Sequence, residues 1–273
     1  MSQPDWDELP LLTDGFCGRE PETAPRQLER PGLRLRHWRG WLDRVAGLDA
    51  GVLQAALLAG VPWKQEQIRL WGRCHPLPRL TCWVADPGCG YRYSGLEQRI
   101  EPWTPCLEQL RTELHRSLGW RFNALLLNLY RDGGDRMGWH ADDELELDPS
   151  APIVSLSLGA TRSFQLRPRR PIDGLRQTLT LELGDGDLLV MDPPTQHHWQ
   201  HQLPARRRVL QRRLNLTFRV VRLPGATRWE ASTEPSQKRI GFEDRAQPVQ
   251  QGVAGGQAPG LMKPVPAAVD QTQ

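Results

Sequence analysis

The chain has 273 residues, of which 38% are hydrophobic and 25% charged, and it carries a formal net charge of +3. With a mean hydropathy of −0.56, this balance is typical of a soluble globular protein and excludes a membrane-embedded chain, because no segment approaches the roughly 18 consecutive apolar residues of a membrane span. The acidic N-terminus is unlike a secretory leader, and the five cysteines form no C-x-x-C pair, so we expect reduced thiols and a cytoplasmic protein, or a nuclear one in a eukaryote.

Both ends of the chain differ in composition from its middle. Residues 1–30 mix Pro, Glu and Arg without periodicity, and residues 226–273 drift into runs of Gln, Gly, Pro and Ala. Neither end can bury enough apolar surface to offset its conformational entropy. We therefore predict a flexible N-terminal segment over 1–30, one folded domain over 31–225 and a disordered tail over 226–273.

The middle region is predicted to begin with two helices and to continue as strands. Val52 to Ala59 has apolar spacing without a helix breaker, and Pro105 occupies a first-turn position before a helical pattern that runs to about Leu118. The predicted strands, separated by Gly- and Pro-rich turns, are 123–130, 153–158, 162–166, 178–183, 187–191, 198–201 and 214–221. Many short strands at close spacing indicate an antiparallel sandwich or barrel.

Two segments carry candidate metal ligands. In the first, His140 and Asp142 are two residues apart, so on a regular strand their side chains would point to the same side. The second offers three histidines, His197, His198 and His201. Two imidazoles and one carboxylate on one face of a metal suit the non-haem Fe(II) oxygenases, but zinc hydrolases also use these ligand types. The ligand set alone does not decide between the two.

A third segment offers a site for a co-substrate. Its polar residues share one parity along a predicted strand, with apolar residues on the other parity: Arg213, Asn215, Thr217 and Arg219. An ordinary half-exposed strand would have the same pattern. If the polar face instead points into a β-barrel, its buried cations need anionic partners, and a dicarboxylate fits. Asn128 and Tyr130, also two residues apart on a strand, could add neutral hydrogen bonds to the same ligand.

Together these motifs resemble those of a known family. In order and spacing, the AlkB family of Fe(II)- and 2-oxoglutarate-dependent nucleic-acid dioxygenases is similar in four elements: Asn128-x-Tyr130, His140-x-Asp142, His201 and Arg213-x-Asn215-x-Thr217-x-Arg219. The similarity runs from about Trp63 to Val221 and is greatest to the members that act on duplex DNA. It implies an α+β, mainly β fold: a double-stranded β-helix (jelly-roll) core with flanking N-terminal helices and a nucleotide-recognition lid.

The resemblance implies a role for each of these residues. The catalytic iron would be bound by three ligands: His140, Asp142 and His201. The family spacing favours His201 over His197 and His198 as the third ligand. The 2-oxoglutarate would be held by Asn128, Tyr130, Arg213, Asn215, Thr217 and Arg219. Arg213 would fork onto the distal carboxylate and Arg219 onto the end that chelates iron, and lysine is a poor substitute for such bidentate pairing.

Substrate handling is implied by the same resemblance. An enzyme that oxidises a base inside a duplex must extrude it, which requires a wedge, a stacking pocket and phosphate contacts. The wedge and its phosphate contacts would lie in a hydrophobic finger: Leu70, Trp71, Gly72, Arg73 and Arg79. The base would be bound by a lid and a loop: Tyr91, Tyr93, Asp143 and Glu144. A carboxylate there would favour cationic methylated bases by Coulomb attraction. The alternative for Trp71 is ordinary packing in a hairpin.

The sequence therefore predicts an oxidative demethylase that repairs N-alkylated bases in DNA, such as 1-methyladenine and 3-methylcytosine. With Fe(II), 2-oxoglutarate and O2 it would hydroxylate the N-methyl group, and the hemiaminal would release formaldehyde. The expected partner is alkylated DNA, as duplex, with single-stranded DNA or RNA as alternatives; no membrane partner and a monomer are expected. The competing hypotheses are the same chemistry on RNA or a protein side chain, and a damaged-DNA-binding module without turnover.

Overall fold

The computed structural model describes residues 24–44, 46–70, 73–90, 92–93, 96–97, 99–171 and 178–222. Its helices are α1 (Trp41–Arg44), α2 (Ala50–Gly60), α3 (Pro105–Leu118) and α4 (Thr195–His198). Its strands are β1 (Arg26–Arg30), β2 (Leu33–Trp38), β3 (Gln67–Leu70), β4 (Arg73–Pro76), β5 (Leu80–Ala85), β6 (Arg92–Tyr93), β7 (Leu96–Glu97), β8 (Ile100–Glu101), β9 (Ala124–Tyr130), β10 (Met137–His140), β11 (Ile153–Gly159), β12 (Arg162–Pro168), β13 (Leu179–Leu183), β14 (Leu188–Met191), β15 (Trp199–Leu203) and β16 (Arg213–Arg219).

Two sheets carry most of these strands. The larger sheet has the order β1-β2-β14-β11-β16-β9-β5-β8, and the smaller has the order β10-β15-β12-β13. Their pairings are antiparallel apart from the parallel pair of β5 with β8. Two short hairpins, β3–β4 and β6–β7, stand apart from both sheets. β9 is buried along its whole length, which places it at the centre of the fold.

The two faces of the larger sheet pack against different partners. On one face, Leu216 and Phe218 of β16 pack with Leu53 and Leu57 of α2 and Leu110 of α3. On the opposite face, apolar residues of the larger sheet cluster with residues of β12 and β15 in the smaller sheet. Each fully buried leucine contributes about 1.5–3 kcal/mol. Because side chains alternate along a strand, the polar residues of β16 point into the space between the two sheets.

Local signals fix the ends of the two longer helices. The Asp49 side chain accepts a hydrogen bond from the backbone N–H of Val52 at 2.7 Å and so caps α2. Pro105 occupies the first turn of α3, where no backbone donor is needed. Gly119 ends α3 in the left-handed region at φ 75°, a conformation that a side chain would strain.

The predicted fold class is confirmed, with corrections to its details. The two predicted helices and the seven predicted strands lie within two residues of their predicted bounds, whereas α1, α4, β1 to β8 and β10 were not predicted. The helices do not all precede the β core, since β3 to β8 lie between α2 and α3. The strand predicted over 198–201 is wrong at its start, because α4 includes His198. Among the described residues, no helix has the length and apolar character that a membrane crossing requires.

The N-terminal boundary also differs from the prediction. Arg26–Arg30 were predicted to be flexible, yet they form an edge strand that pairs with β2. The reason is Leu28, which is buried beside its register partner Leu35 in the core between the sheets. The proposed tail over 226–273 lies outside the described residues.

Candidate metal centre and anion pocket

Three predicted ligands converge between the two sheets. His140 ends β10 and His201 lies in β15, and the two are direct partners in the antiparallel register. Asp142 follows two residues after β10. One ligand atom from each of the three lies within 4.8 Å of the others, a spacing at which one metal ion can be shared. Their two imidazole rings are 4.1 Å apart between centroids and inclined at 62°.

The position of Asp142 has a different cause from the predicted one. The strand ends at His140, so strand alternation does not aim the Asp142 side chain. Instead, the backbone N–H of Asp142 donates to Gln196 Oε1 at 2.9 Å, and its Oδ1 accepts from Arg219 Nη2 at 2.5 Å. Its Oδ2 lies 3.7 Å from His201 Nε2. Hydrogen bonds from two other elements therefore hold this carboxylate in place.

The electrostatics of the cluster suit a divalent cation. Burial lowers the pKa of His140, and burial together with the neighbouring His140 lowers the pKa of His201 to about 3. Burial alone would raise the pKa of Asp142, but Arg219 and the two histidines lower it to about 2. His140 Nδ1 lies 2.8 Å from the Gly138 carbonyl, to which it donates, so Nε2 keeps its lone pair for a metal. At neutral pH the set is two neutral imidazoles and one carboxylate.

A cavity opens beside these ligands. Its walls combine apolar side chains, among them Leu126, Phe164 and Met191, with hydrogen-bonding groups. Five of the six residues predicted to bind 2-oxoglutarate line it: Asn128, Tyr130, Asn215, Thr217 and Arg219. The metal ligands line the same cavity. A small ligand held there would therefore contact a bound metal and the polar face of β16 together.

The sixth residue, Arg213, lies behind Tyr130 and is a buried cation. It is the register partner of Tyr130, and its guanidinium carbon is 5.4 Å from the centroid of that ring. Its Nη2 donates to Ser157 Oγ at 2.9 Å, whereas its Nε and Nη1 have no hydrogen-bond partner among the described residues. Burial lowers the pKa of Arg213 to about 10. A buried guanidinium with two unused donors fits a carboxylate ligand.

Comparison with known proteins agrees with this geometry. The family described as the 2OG-Fe(II) oxygenase superfamily matches residues 35–219. This chain is a member of the 2OG-Fe(II) oxygenase superfamily. The name of the superfamily specifies both ligands, Fe(II) and 2-oxoglutarate, and an oxygenase uses O2. The two-histidine, one-carboxylate cluster fits the iron, and the unused donors of Arg213 fit one end of the dicarboxylate.

Curated relatives of the superfamily share much of the sequence. The DNA oxidative demethylase ALKBH2 of Mus musculus is 43% identical over 163 residues, which cover 57% of this chain and 66% of the relative. ALKBH2 of Arabidopsis thaliana is 36% identical over 186 residues, 59% of each chain. The alpha-ketoglutarate-dependent dioxygenase alkB homolog 3 of Rattus norvegicus is 39% identical over 229 residues, 76% of each chain. The chain thus spans two thirds or less of the ALKBH2 proteins and three quarters of the alkB homolog 3.

One predicted substrate contact of this superfamily member is wrong. Arg79 was predicted to lie near DNA phosphates, but it is 3% exposed and its Nε donates to Asn128 Oδ1 at 2.8 Å. It therefore supports the cavity wall from inside. Arg73, by contrast, is exposed on β4. Trp71, Gly72 and Tyr91 lie outside the described residues, as do the side chains of Leu70 and Tyr93.

The loop after the metal-binding strand carries the other predicted substrate contacts. Asp143 is exposed at the rim, and its carboxylate pairs with Arg169 Nη1. Glu144 is half-buried. Arg169 was not predicted from the sequence, nor was Gln196, whose side chain reaches the backbone of Asp142. Two serines that support the polar face of β16 were not predicted either: Ser155 accepts from Asn215 at 2.8 Å and Ser157 accepts from Arg213.

Proposed function

We propose that this chain is a DNA oxidative demethylase that repairs N-alkylated bases such as 1-methyladenine and 3-methylcytosine. The observation that carries this conclusion is the convergence of His140, Asp142 and His201 on one cavity with the buried cation Arg213 behind it. The substrate class is supported by the relatives named DNA oxidative demethylase, which are 36% to 43% identical where they match.

The protein's own residues would arrange the reactants. Arg213 would bind the distal carboxylate of 2-oxoglutarate through Nε and Nη1, with hydrogen bonds from Asn128 and Tyr130 beside it. Thr217 and Arg219, nearer the metal ligands, would face the other end of the molecule. When bound, iron, 2-oxoglutarate and O2 supply the oxidising power that converts an N-methyl group to a hydroxymethyl group, which leaves as formaldehyde.

Arg219 would have two tasks at this centre. It is 2% exposed and holds Asp142 Oδ1 at 2.5 Å, which fixes one carboxylate oxygen and leaves the other for a metal. Its charge also keeps Asp142 ionised, as the lowered pKa of about 2 reflects. The apolar residues Phe164 and Met191 line the same space and would help to exclude bulk water once the ligands are bound. The site would thus bring its ligands together in a fixed geometry. Such orientation of the reactants accounts for much of the rate acceleration in enzymes.

Asp143 would distinguish damaged from normal bases. Its carboxylate stands at the rim beside Arg169, with 42% of the side chain exposed. A base methylated at adenine N1 or cytosine N3 is cationic and would compete with Arg169 for this carboxylate, whereas a neutral base would not. Duplex DNA would be the substrate, with Leu70 and Trp71 as the wedge and Tyr91 and Tyr93 as the lid. We expect a monomer located in the compartment that holds the DNA.

Release of formaldehyde tests the proposal. Purified protein with Fe(II), ascorbate and 2-oxoglutarate would be incubated with oligonucleotides that contain 1-methyladenine, as duplex DNA, single-stranded DNA and RNA. The wild-type protein and His197→Gln should release formaldehyde, and His201→Gln should not. His197 is a matched control because it is exposed in the neighbouring turn and lies outside the metal cluster.

Each other outcome would point to a different function. Formaldehyde from RNA alone would move the substrate class to RNA. Binding of methylated oligonucleotide with no formaldehyde above background would favour a binding module without turnover. Trp71→Ala should reduce activity on duplex much more than on single strands, and an equal loss on both would argue against a wedge.

A further inference from the structure

Gln196 connects the metal centre to a turn that contributes none of its ligands. The turn is α4, which lies just before β15, and the Gln196 side chain is half-buried beneath the loop that carries Asp142. Its Oε1 accepts from the backbone N–H of Asp142 at 2.9 Å. Its Nε2 points the other way and lies 3.3 Å from Met191 Sδ in the cavity wall. The amide is therefore held at both ends.

The chemistry of these contacts fixes the orientation of the amide. A backbone N–H can only donate, so the group that faces Asp142 must be the carbonyl oxygen of the glutamine. The Asp142 residue is 5% exposed, and a buried backbone N–H needs an acceptor within the protein. Without that acceptor, the buried N–H would be unsatisfied, which would favour movement of the loop toward solvent. The Asp142 carboxylate would move with the loop.

The turn that carries Gln196 is itself anchored to a different part of the sheet. Thr195 Oγ1 accepts from the backbone N–H of Arg34 at 2.9 Å and donates to its carbonyl at 3.1 Å. Asp192 accepts two hydrogen bonds of 2.7 Å from Arg36. Both partners lie in β2, which is paired on both sides in the larger sheet, with β1 and with β14. Gln196 thus projects from a rigid support.

We infer that Gln196 is a positioning residue for the metal centre: it holds the Asp142 loop so that the carboxylate points at the metal. The inference rests on the proposed function, in which Asp142 is a metal ligand. The same turn also reaches the exposed residue Asp143. The backbone carbonyl oxygen of Gln196 lies 3.4 Å from Arg169 Nη1, and Arg169 also pairs with the Asp143 carboxylate. The ligand and the neighbouring rim carboxylate are therefore tethered to one residue.

The inference is tested by metal affinity in the absence of turnover. Co(II) would replace the oxygen-sensitive Fe(II), and its visible absorption would report both binding and coordination in the full-length protein with 2-oxoglutarate. Gln196→Leu removes the acceptor, whereas Gln196→Glu keeps an oxygen at the same reach. Gln202→Leu is the matched control, since Gln202 is also half-buried but bonds to Gln165 on the outer face of the smaller sheet.

We expect Gln196→Leu to weaken Co(II) binding about tenfold and to change the absorption spectrum, as loss of outer-sphere support does in other metal sites. Gln196→Glu should restore the affinity to within about threefold of the wild type, and Gln202→Leu should not differ from it. Thermal unfolding of the metal-free proteins would show that the variants are folded.

Two results would overturn the inference alone. Wild-type affinity in Gln196→Leu would show that the hydrogen bond does not position the ligand. An equal loss in Gln196→Leu and Gln196→Glu would show that packing, and not the acceptor, is what matters. A failure of the wild-type protein to bind Co(II) would instead overturn the proposed metal site, so the two failures are distinguishable.

Discussion

Replacing Arg213 with methionine separates the cost of a buried charge from its use in binding. Methionine has a similar length but no charge and no donors. The Arg213 residue is 1% exposed, and two of its three guanidinium nitrogens have no hydrogen-bond partner among the described residues. In Arg213→Met, 2-oxoglutarate would meet an apolar wall where it now meets a cation. Breaking one side of a buried ion pair costs about 3–5 kcal/mol.

The expected effects on binding and on stability have opposite signs. At about 1.4 kcal/mol per factor of ten, the affinity for 2-oxoglutarate should fall by about 140- to 4000-fold. Burial lowers the pKa of Arg213 from its ordinary value to about 10, which corresponds to a cost of about 3 kcal/mol at neutral pH. Removing the charge relieves this cost but loses the hydrogen bond to Ser157, worth about 1.5–3 kcal/mol. The free energy of unfolding without ligand should thus be unchanged or rise by up to about 2 kcal/mol.

Titration calorimetry under anaerobic conditions, with Fe(II) present, measures the affinity for 2-oxoglutarate. Denaturant unfolding of the ligand-free protein measures the stability. Arg212→Met is the matched control, because Arg212 is the exposed neighbour and the same side chain is introduced. Binding of 2-oxoglutarate by Arg213→Met within about threefold of the wild type would refute the role of this cation. A large loss of stability without ligand would refute the argument that its charge is uncompensated.

Three further predictions follow from contacts elsewhere in the fold. Asp187 accepts hydrogen bonds from the backbone N–H groups of Gly40 and Gly184. Burial alone would raise the pKa of Asp187, but the hydrogen bond with His37 and these two backbone bonds lower it below 3.8. The contribution of Asp187 to stability is therefore present above pH 3.8 and is lost as the pH falls through the lowered pKa. Asp187→Asn should therefore lower the free energy of unfolding by about 1–3 kcal/mol at pH 7 and by less at pH 3, measured by urea denaturation. Thr195→Val should lower the same free energy by about 1–3 kcal/mol, because two hydrogen bonds are lost. The reference variant Thr112→Val, at an exposed position in α3, should not lower it. Asp143→Asn should reduce the preference for methylated over unmethylated oligonucleotide, measured by competition binding.

Each of these predictions has a result that would contradict it. A constant difference between Asp187→Asn and the wild type from pH 7 to pH 3 would show that the ionised carboxylate is not what stabilises the fold. Wild-type stability in Thr195→Val would show that α4 is held by packing alone. Unchanged discrimination in Asp143→Asn would mean that the charge of the methylated base is recognised elsewhere.

The class of the fold could be predicted from local pattern alone. The alternation of polar and apolar residues along Arg213–Arg219 indicates a strand between two environments, and the structure places Leu216 on the helix side and Thr217 in the cavity. The helix that begins at Pro105 was also predictable, because proline at the first turn and Gly119 after the last are strong end signals. The pair His140 and Asp142 could be selected from its spacing, whereas the choice of His201 over His197 and His198 needed the family resemblance; the structure brings the three residues together.

What could not be predicted depends on contacts between distant parts of the chain. Arg79 resembles a surface arginine in sequence, and only the pairing of β5 with β9 brings it against Asn128. The Gln196 side chain is 54 residues from its partner Asp142, and no spacing rule connects them. The edge strand Arg26–Arg30 has only one buried side chain, too weak a pattern to distinguish from a polar tail. In each case tertiary packing decides what local propensity leaves undetermined.

The register of the smaller sheet has a consequence for the resistance of the protein to proteolysis in a cell. β10 is an edge strand, and its pairing with β15 has an irregularity between Met137 and His140. An ion bound by both His140 and His201 would hold β10 against β15. Iron binding would therefore slow amide hydrogen exchange and proteolytic cleavage along β10. Iron starvation would then shorten the lifetime of the protein and also abolish its activity.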